Sequence, residues 1–382
     1  MLHSKFGAGL RSLAIAFPSI LRTNDHFRSA HPDMVAHAEQ FSLAKVWGKG
    51  EAAAAAPTAF DLTMAPYLAD PFRGAAERRL RAPGEPALAM ELRAARGALD
   101  AAGITAKDVD LTLVSSFVGD RFGVGNAAYL AKELQLRAPA INFETACSSS
   151  VVGLQLAASL IASGAYGRVL VVVSTSNSVQ VVDDDSLGWF VGDGAGALLV
   201  ERSSAEGFGV LGWKTINSIE TNDMFVIHSV PERARRTRLC TSANENAGAM
   251  ARNTAEPYLR ACVDGALSMA SASVRDVDFW VFNTPNAWYA DFCARVLGVE
   301  QGRYHSVYPR YANIGAALMP ATLYHALHEG RIHPGNLVGL YSVGSTSTAS
   351  ALIMRIGNVA LGPYPERPDE KGTFPCFDRA SV

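Results

Sequence analysis

Apolar residues along this chain fall into two kinds of run. Short unbroken apolar stretches bounded by polar or glycine turns read as buried strands, and longer stretches with apolar positions three and four apart read as helices. Leu10–Phe17 is a first strand, closed by Pro18 and the Thr23-Asn24-Asp25 turn. Ala87–Ala102 is a helix ended by Gly103, followed by a strand at Asp110–Ser115, a helix at Asn126–Leu134 and a strand at Ala140–Phe143. A long apolar helix, the strongly apolar strand Arg168–Ser174 and a strand at Ala197–Glu201 complete this run. The order then recurs: a helix at Asn253–Ala270, a strand at Val277–Phe282, helices at Ala287–Leu297 and Ala316–His328, and strands at Leu337–Ser342 and Ala349–Ile356. Strands alternating with helices predict an α/β layered fold. Residues His26–Leu80, with the alanine run before Pro57, read as helical excursions and loops, a lid or a tunnel wall. The tail after Gly357 reads as irregular but partly packed.

The recurrence has a sequence signature. Thr105-Ala-Lys-Asp-Val-Asp110 and Ser273-Val-Arg-Asp-Val-Asp278 share the pattern [TS]-x-[KR]-D-V-D before a buried strand, 168 residues apart from Asp110 to Asp278. An internal repeat of this length predicts two similar halves, 1–205 and 206–382.

Composition narrows the function classes. The chain has 382 residues, 49% hydrophobic, with a formal net charge of −2, so neither nucleic acid nor an anionic membrane is an expected partner. The five cysteines are scattered, with no CxxC pair, which argues against a metal site or a disulfide framework and fits a reducing compartment. The N-terminal apolar run is too short for a signal peptide, and no run reaches a membrane span. A soluble cytoplasmic protein without a resident cofactor or metal is expected.

One stretch carries chemistry. In Ile141–Gly167, Cys147 stands between a strand and the long apolar helix, with Ser148–Ser150 as capping candidates. A helix N-terminus carries roughly half a positive charge and free N–H groups. Both would lower the thiol pKa and make Cys147 a nucleophile at neutral pH.

The motifs together resemble the thiolase superfamily, closest to the type III ketoacyl synthases and their acyltransferase relatives. Glu144-Thr-Ala-Cys-Ser-Ser-Ser150 also resembles the nucleophile signature of modular polyketide ketosynthases. Phe190-Val-Gly-Asp-Gly-Ala-Gly196, Arg331-Ile-His-Pro-Gly-Asn-Leu-Val338 and Ala75-Ala-Glu-Arg-Arg79 resemble the type III glycine turn and its two flanking motifs. The resemblance runs from about residue 8 to 356. It implies a thiolase-like five-layered αβαβα fold, usually a homodimer. It implies that Cys147 is acylated from a coenzyme A or acyl-carrier-protein thioester and passes the acyl group to a second small-molecule substrate. Secondary metabolism of polyketide or fatty-acid type is the expected setting. It further implies that the Cys147 and Gly344 N–H groups form the oxyanion hole, and that Asn313 is the family's catalytic Asn. A competing register sets Asn313-Ile-Gly315 against the NIGH motif of elongating synthases, with Ala316 at its His.

The departure from the family concerns the catalytic histidine. Asn283, in Trp280-Val-Phe-Asn-Thr-Pro-Asn286, stands where it would be. An amide donates a hydrogen bond but is no acid or base near pH 7. His228 and His305 are the candidate replacements. Glu144 reads as a residue that turns a strand end, and Phe122 as one that touches a partner's acyl channel. The basic run Arg233, Arg235, Arg236 and Arg238 suits a coenzyme A phosphate or an acidic carrier helix. The tryptophan that often stacks on adenine in the type III enzymes has no clear counterpart before Arg78, which tilts the donor toward carrier protein. The resulting expectation is an acyl-thioester enzyme that condenses or transfers. The alternative is a non-catalytic partner subunit of a heteromeric condensing complex.

Overall fold

The structure is a computed structural model that describes residues 7–41, 57–121, 123–181, 186–203, 207–231, 237–344 and 347–368. Its strands are β1 Gly7–Ala16, β2 Ile20–Thr23, β3 Glu77–Leu80, β4 Leu111–Phe117, β5 Ala140–Asn142, β6 Arg168–Ser176, β7 Asp193–Ser203, β8 Gly209–Asn217, β9 Phe225–Pro231, β10 Thr237–Ala243, β11 Phe279–Phe282, β12 Tyr304–His305, β13 Leu337–Val343, β14 Thr348–Arg355 and β15 Ala360–Leu361. The principal helices are α1 Asn24–Ala30, α2 Pro32–Phe41, α3 Ala59–Met64, α4 Ala87–Ala102, α5 Ala127–Leu134, α6 Ser149–Ala162, α7 Ala247–Ala270, α8 Tyr289–Leu297 and α9 Leu318–His328.

Two mixed sheets organise the chain, in the orders β15-β1-β7-β6-β4-β5 and β12-β11-β13-β14-β8. Helices α6 and α9 lie between them and touch strands of both. Helices α4 and α5 cover the outer face of the first sheet, and α7 and α8 that of the second. The result is five layers, αβαβα. Strand β6 shows why its sequence lacks alternation. Val169, Val171 and Val173 face the middle layer, while Leu170 and Val172 face the outer one. Both faces of this central strand are buried, so every position from Val169 to Val173 is apolar.

The sequence repeat is a structural device. Asp108 accepts from the backbone N–H and hydroxyl of Thr105, at 2.9 and 2.8 Å. Asp276 does the same for Ser273, at 2.8 and 2.7 Å. Each box starts a 3₁₀ turn. The second aspartate then fastens the neighbouring strand: Asp110 accepts from Arg168 N–H at 2.8 Å, and Asp278 from Leu337 N–H at 2.7 Å. The expected division at 205–206 touches residues outside the described set. The strand before it joins the first sheet and the strand after it the second.

Several boundaries differ from expectation for physical reasons. Strand β7 begins at Asp193, because the glycine run is already paired with both β1 and β6. The tail is not wholly irregular, since β15 pairs in parallel with β1. Among its described residues the 26–80 region contains α1, α2, α3 and β3, which pairs with β2. Arg78 pins it: the guanidinium is buried beside Phe27 and Phe72 and donates to the Trp189 carbonyl at 2.7 Å. Among the described residues no helix is long and apolar enough to cross a membrane.

Candidate active site

Cys147 lies in a 3₁₀ turn, Ala146–Ser148, one step before α6 rather than at the helix N-terminus itself. Ala146 is forced to φ +53°, an unusual value for a residue with a Cβ. The serines that follow hold this turn instead of capping the helix. Ser148 Oγ donates to the Thr145 carbonyl at 2.6 Å, and Ser149 Oγ accepts from Thr145 N–H at 3.0 Å. Glu144 completes the brace. Its carboxylate accepts from Ala146 N–H at 2.7 Å, Ser149 Oγ at 3.2 Å and Ser115 Oγ at 3.0 Å. It turns the strand end, and burial holds its own pKa above the ordinary range.

The expected lowering of the Cys147 pKa is overturned. The residue is half-buried. Burial, and after it the neighbouring Glu144 carboxylate, pushes the thiol up to about 12, against a smaller lowering by its own backbone N–H. Burial and a neighbouring acid outweigh the one backbone N–H that favours the thiolate.

Asn283 is 2% exposed and does not face the cavity. Its Nδ2 lies 2.8 Å from the Cys147 carbonyl oxygen, 3.2 Å from that of Gly315 and 2.8 Å from Ser342 Oγ. Ser342 Oγ in turn donates to the Cys147 carbonyl at 2.7 Å. The amide therefore fixes the nucleophile's main chain and is not aimed at the sulfur's side of the residue. Asn313 does reach the cavity wall. Its Oδ1 accepts from Gly315 N–H at 2.9 Å, which turns Nδ2 outward as its donor, and its backbone is held by Phe190, Gly192 and Asn177. Gly344 departs from expectation. Its N–H donates to the Thr348 carbonyl at 2.7 Å, closing the β13–β14 hairpin, so this donor is already committed. Ala316 donates its N–H to Thr175 Oγ1 at 3.2 Å.

Cys147 opens onto a cavity of about 350 Å³. Its lining includes Phe117, Ala146, Thr175, Asn313 and Gly315, with residues of α3, α7 and the β9–β10 ribbon. Phe60 and Arg73 place the 26–80 region in that wall. No His, Asp, Glu or Lys lines the cavity among the described residues. His228 is exposed on β9, and His305 sits on edge strand β12, where burial and Arg331 lower its pKa; neither reaches the cavity. Phe122, Arg233, Arg235 and Arg236 lie outside the described residues, and Arg238 is on β10. No group of three or more His, Cys, Asp or Glu among the described residues is arranged to hold a metal ion. Ser342, Arg73 and Asn286 were not singled out from sequence. All three sit in or beside the motifs, but only the fold shows what they face.

Two sequence patterns match the chain: 3-oxoacyl-[acyl-carrier-protein (ACP)] synthase III over residues 141–218, and the C-terminal part of the same enzyme over 267–356. Beta-ketoacyl-[acyl-carrier-protein] synthase III of Porphyra purpurea is 27% identical over 288 residues, covering 73% of this chain and 87% of that one. The Nostoc sp. protein of the same name is 29% identical over 296 residues, covering 74% and 88%. The crystal structure of FabH from Pseudomonas aeruginosa superposes with a TM-score of 0.74 at 22% identity, over 92% of this chain and 99% of that one. The chain is similar to the ketoacyl synthase III enzymes, and its fold is the thiolase-like one of those solved structures. A structure of Xanthomonas campestris OleA also matches, with a TM-score of 0.72 at 17% identity, over 93% of this chain and all of that one. The ketoacyl synthase III-like layers are thus those reached from the strand order above.

Proposed function

We propose that this protein loads an acyl group from an acyl-carrier-protein or coenzyme A thioester onto Cys147 and passes it to a second substrate. The observation that carries this reading is the half-buried cysteine on a strained turn, opening into a cavity that Asn313 also lines. In the loading step the Cys147 sulfur forms a bond to the acyl carbon, the donor's C–S bond breaks, and the departing thiolate takes the proton that the cysteine loses. Negative charge gathers on the carbonyl oxygen. The Cys147 N–H and Asn313 Nδ2 are the donors that would stabilise it.

Asn283 stands in place of the family's catalytic histidine and acts as a positioning residue, through the carbonyl of Cys147. The want of a base on the described cavity wall constrains the transfer that comes after loading. Acylating an alcohol requires a proton to be taken from it, whereas an extender that loses carbon dioxide yields its enolate without proton abstraction. Carbon–carbon condensation is the better supported second step, with polyketide or fatty-acid-type metabolism as its setting and a homodimer as the working form.

Intact-mass measurement after mixing with acyl thioesters tests the reading. An adduct that is absent from Cys147→Ala is expected. Failure of every carrier-protein and coenzyme A donor to load would overturn it. The raised thiol pKa and the base-free wall favour one second reading, a non-catalytic subunit that supports an active synthase. Co-purification with such a synthase, and turnover only in the pair, would mark that case.

A further inference from the structure

One buried histidine has no place on the cavity wall. His325, on α9, is 1% exposed and is not among the lining residues. Its Nε2 lies 2.9 Å from the Tyr311 hydroxyl, and the two ring centroids are 5.7 Å apart with planes 30° from parallel. Tyr311 is also 1% exposed. Its ring stacks on Phe17 with centroids 4.1 Å apart, and the Arg310 guanidinium lies over it at 5.4 Å. Burial, and after it the Arg310 charge, lowers the His325 pKa to about 4; His305 and His328 add to this and Glu329 opposes it. Burial raises the pKa of the Tyr311 phenol. The pair is therefore a neutral hydrogen bond near pH 7. A satisfied buried pair of this kind stiffens the segment that carries it.

Tyr311 carries the approach to Asn313. The short helix Tyr308–Tyr311 ends at Ala312, whose φ of +54° and ψ of −156° fall beside a region that glycine nearly monopolises. Such a strained residue persists only where the surrounding structure holds both of its sides. On one side Asn313 is held by main chain: its N–H donates to the Phe190 carbonyl at 2.9 Å, and its carbonyl accepts from Gly192 N–H at 3.0 Å. On the other side stands Tyr311, fixed by Phe17 and His325. The turn at Ala312 lets Asn313 reach the cavity while Tyr311 stays in the core.

We infer that the Tyr311–His325 pair holds the strained turn at Ala312 and so keeps the Asn313 amide directed at the cavity. His325 is a positioning residue, acting through Tyr311 without touching substrate. This rests on the loading reaction proposed above, in which Asn313 Nδ2 is one of the two oxyanion donors. A histidine thus serves the reaction at a distance, as a fixed hydrogen-bond partner and not as an acid or base.

The test uses the full chain with straight-chain acyl-coenzyme A and N-acetylcysteamine thioesters. Cys147 adducts are read by intact mass over time, at the chain length that wild type loads fastest. Tyr311→Phe and His325→Phe should each slow loading at saturating donor by roughly tenfold or more, with the half-saturating concentration changed less than about threefold. His325→Gln, whose amide can still hydrogen-bond the phenol, should stay within about threefold of wild type. The deciding readout is a double-mutant cycle. In an Asn313→Ala background, Tyr311→Phe should slow loading no further, because the donor it positions is already gone. A packing role for Tyr311 predicts multiplied losses instead, and that result would overturn the inference. So would Tyr311→Phe loading at the wild-type rate. The ratio of wild-type to His325→Phe rates should stay constant from pH 6 to 9. A ratio that changes over this span would mean that His325 exchanges a proton, and would overturn the positioning role. If Asn313→Ala loads as fast as wild type, the inference falls while acylation of Cys147 stands. If no donor acylates wild-type Cys147, both fall. Should His325→Phe fail to fold, Tyr311→Phe removes a single oxygen and carries the cycle alone.

Discussion

The two halves each place a 3₁₀ turn before a central helix, and the two turns face one another. In the first half the turn is Ala146–Ser148 before α6; in the second it is Gly315–Ala317 before α9. The repeat offset of 168 residues sets Gly315 against Cys147. Both turns hold a residue at positive φ, +53° at Ala146 and +54° at Gly315. Asn283 ties them together by donating to the carbonyls of Cys147 and Gly315. Their bracing differs. The first turn is laced by Glu144, Ser148 and Ser149, while the second is held by main chain, the Asn313 side chain and Thr175. One copy of a duplicated turn has become the nucleophile's seat, and the other is its frame.

The sharpest way to break this pairing is Gly315→Ala. The added Cβ would sit 2.4 Å from Thr175 Oγ1, at a φ that disfavours any side chain. Strain and overpacking together cost about 2–5 kcal/mol. A clear fall in melting temperature and loss of loading are expected, and an unchanged variant would show that the second turn is no frame. Asn283→Ala comes next. It removes the shared donor and leaves a buried carbonyl poorly satisfied, at about 1–3 kcal/mol. Loading should slow at least tenfold if the amide positions the sulfur. A drop in stability with a normal loading rate would reduce Asn283 to packing.

A smaller effect separates the two turns electrically. With the thiol near pKa 12, the reactive thiolate grows about tenfold per pH unit, so loading should climb steadily from pH 6 to 9. A plateau below pH 8 would contradict the raised value. Glu144→Gln keeps an acceptor for the Ala146 N–H but removes the negative charge that raises the thiol. Its profile should move to lower pH, with faster loading at any fixed pH. The smallest effects belong to the duplicated boxes. Thr105→Ala and Ser273→Ala each remove one cap in an exposed turn, so each should lower the melting temperature by roughly 1–2 °C and by similar amounts. A strongly unequal pair would mean that one half governs unfolding.

The fold was legible because its strands are continuous apolar runs and its repeat is written in short-range capping chemistry, which needs no knowledge of the tertiary structure. Helix α4 and its Gly103 stop were read to the residue, since period and cap agree. The site was legible in residue type and much less in direction. Cys147 was expected at the helix N-terminus and lies in the turn before it, and its pKa depends on burial and on Glu144, a through-space relation. Asn283 was picked out by position, yet the side its amide serves is set by Ser342 and Gly315, far away in sequence. Gly344 failed for the same reason, because only strand register reveals that its N–H is already taken.

The return of β15 to the outer edge of β1 has a consequence for synthesis. Ala360 and Leu361 close a sheet whose other strands have all left the ribosome some 157 residues earlier, by Ser203. Until they arrive, β1 offers an unpaired edge, the kind of surface that recruits neighbouring nascent chains or a chaperone. Separating the two halves would take this strand away from the sheet it completes. A circular permutant that begins near residue 358 and so supplies the strand first would shield that edge from the start.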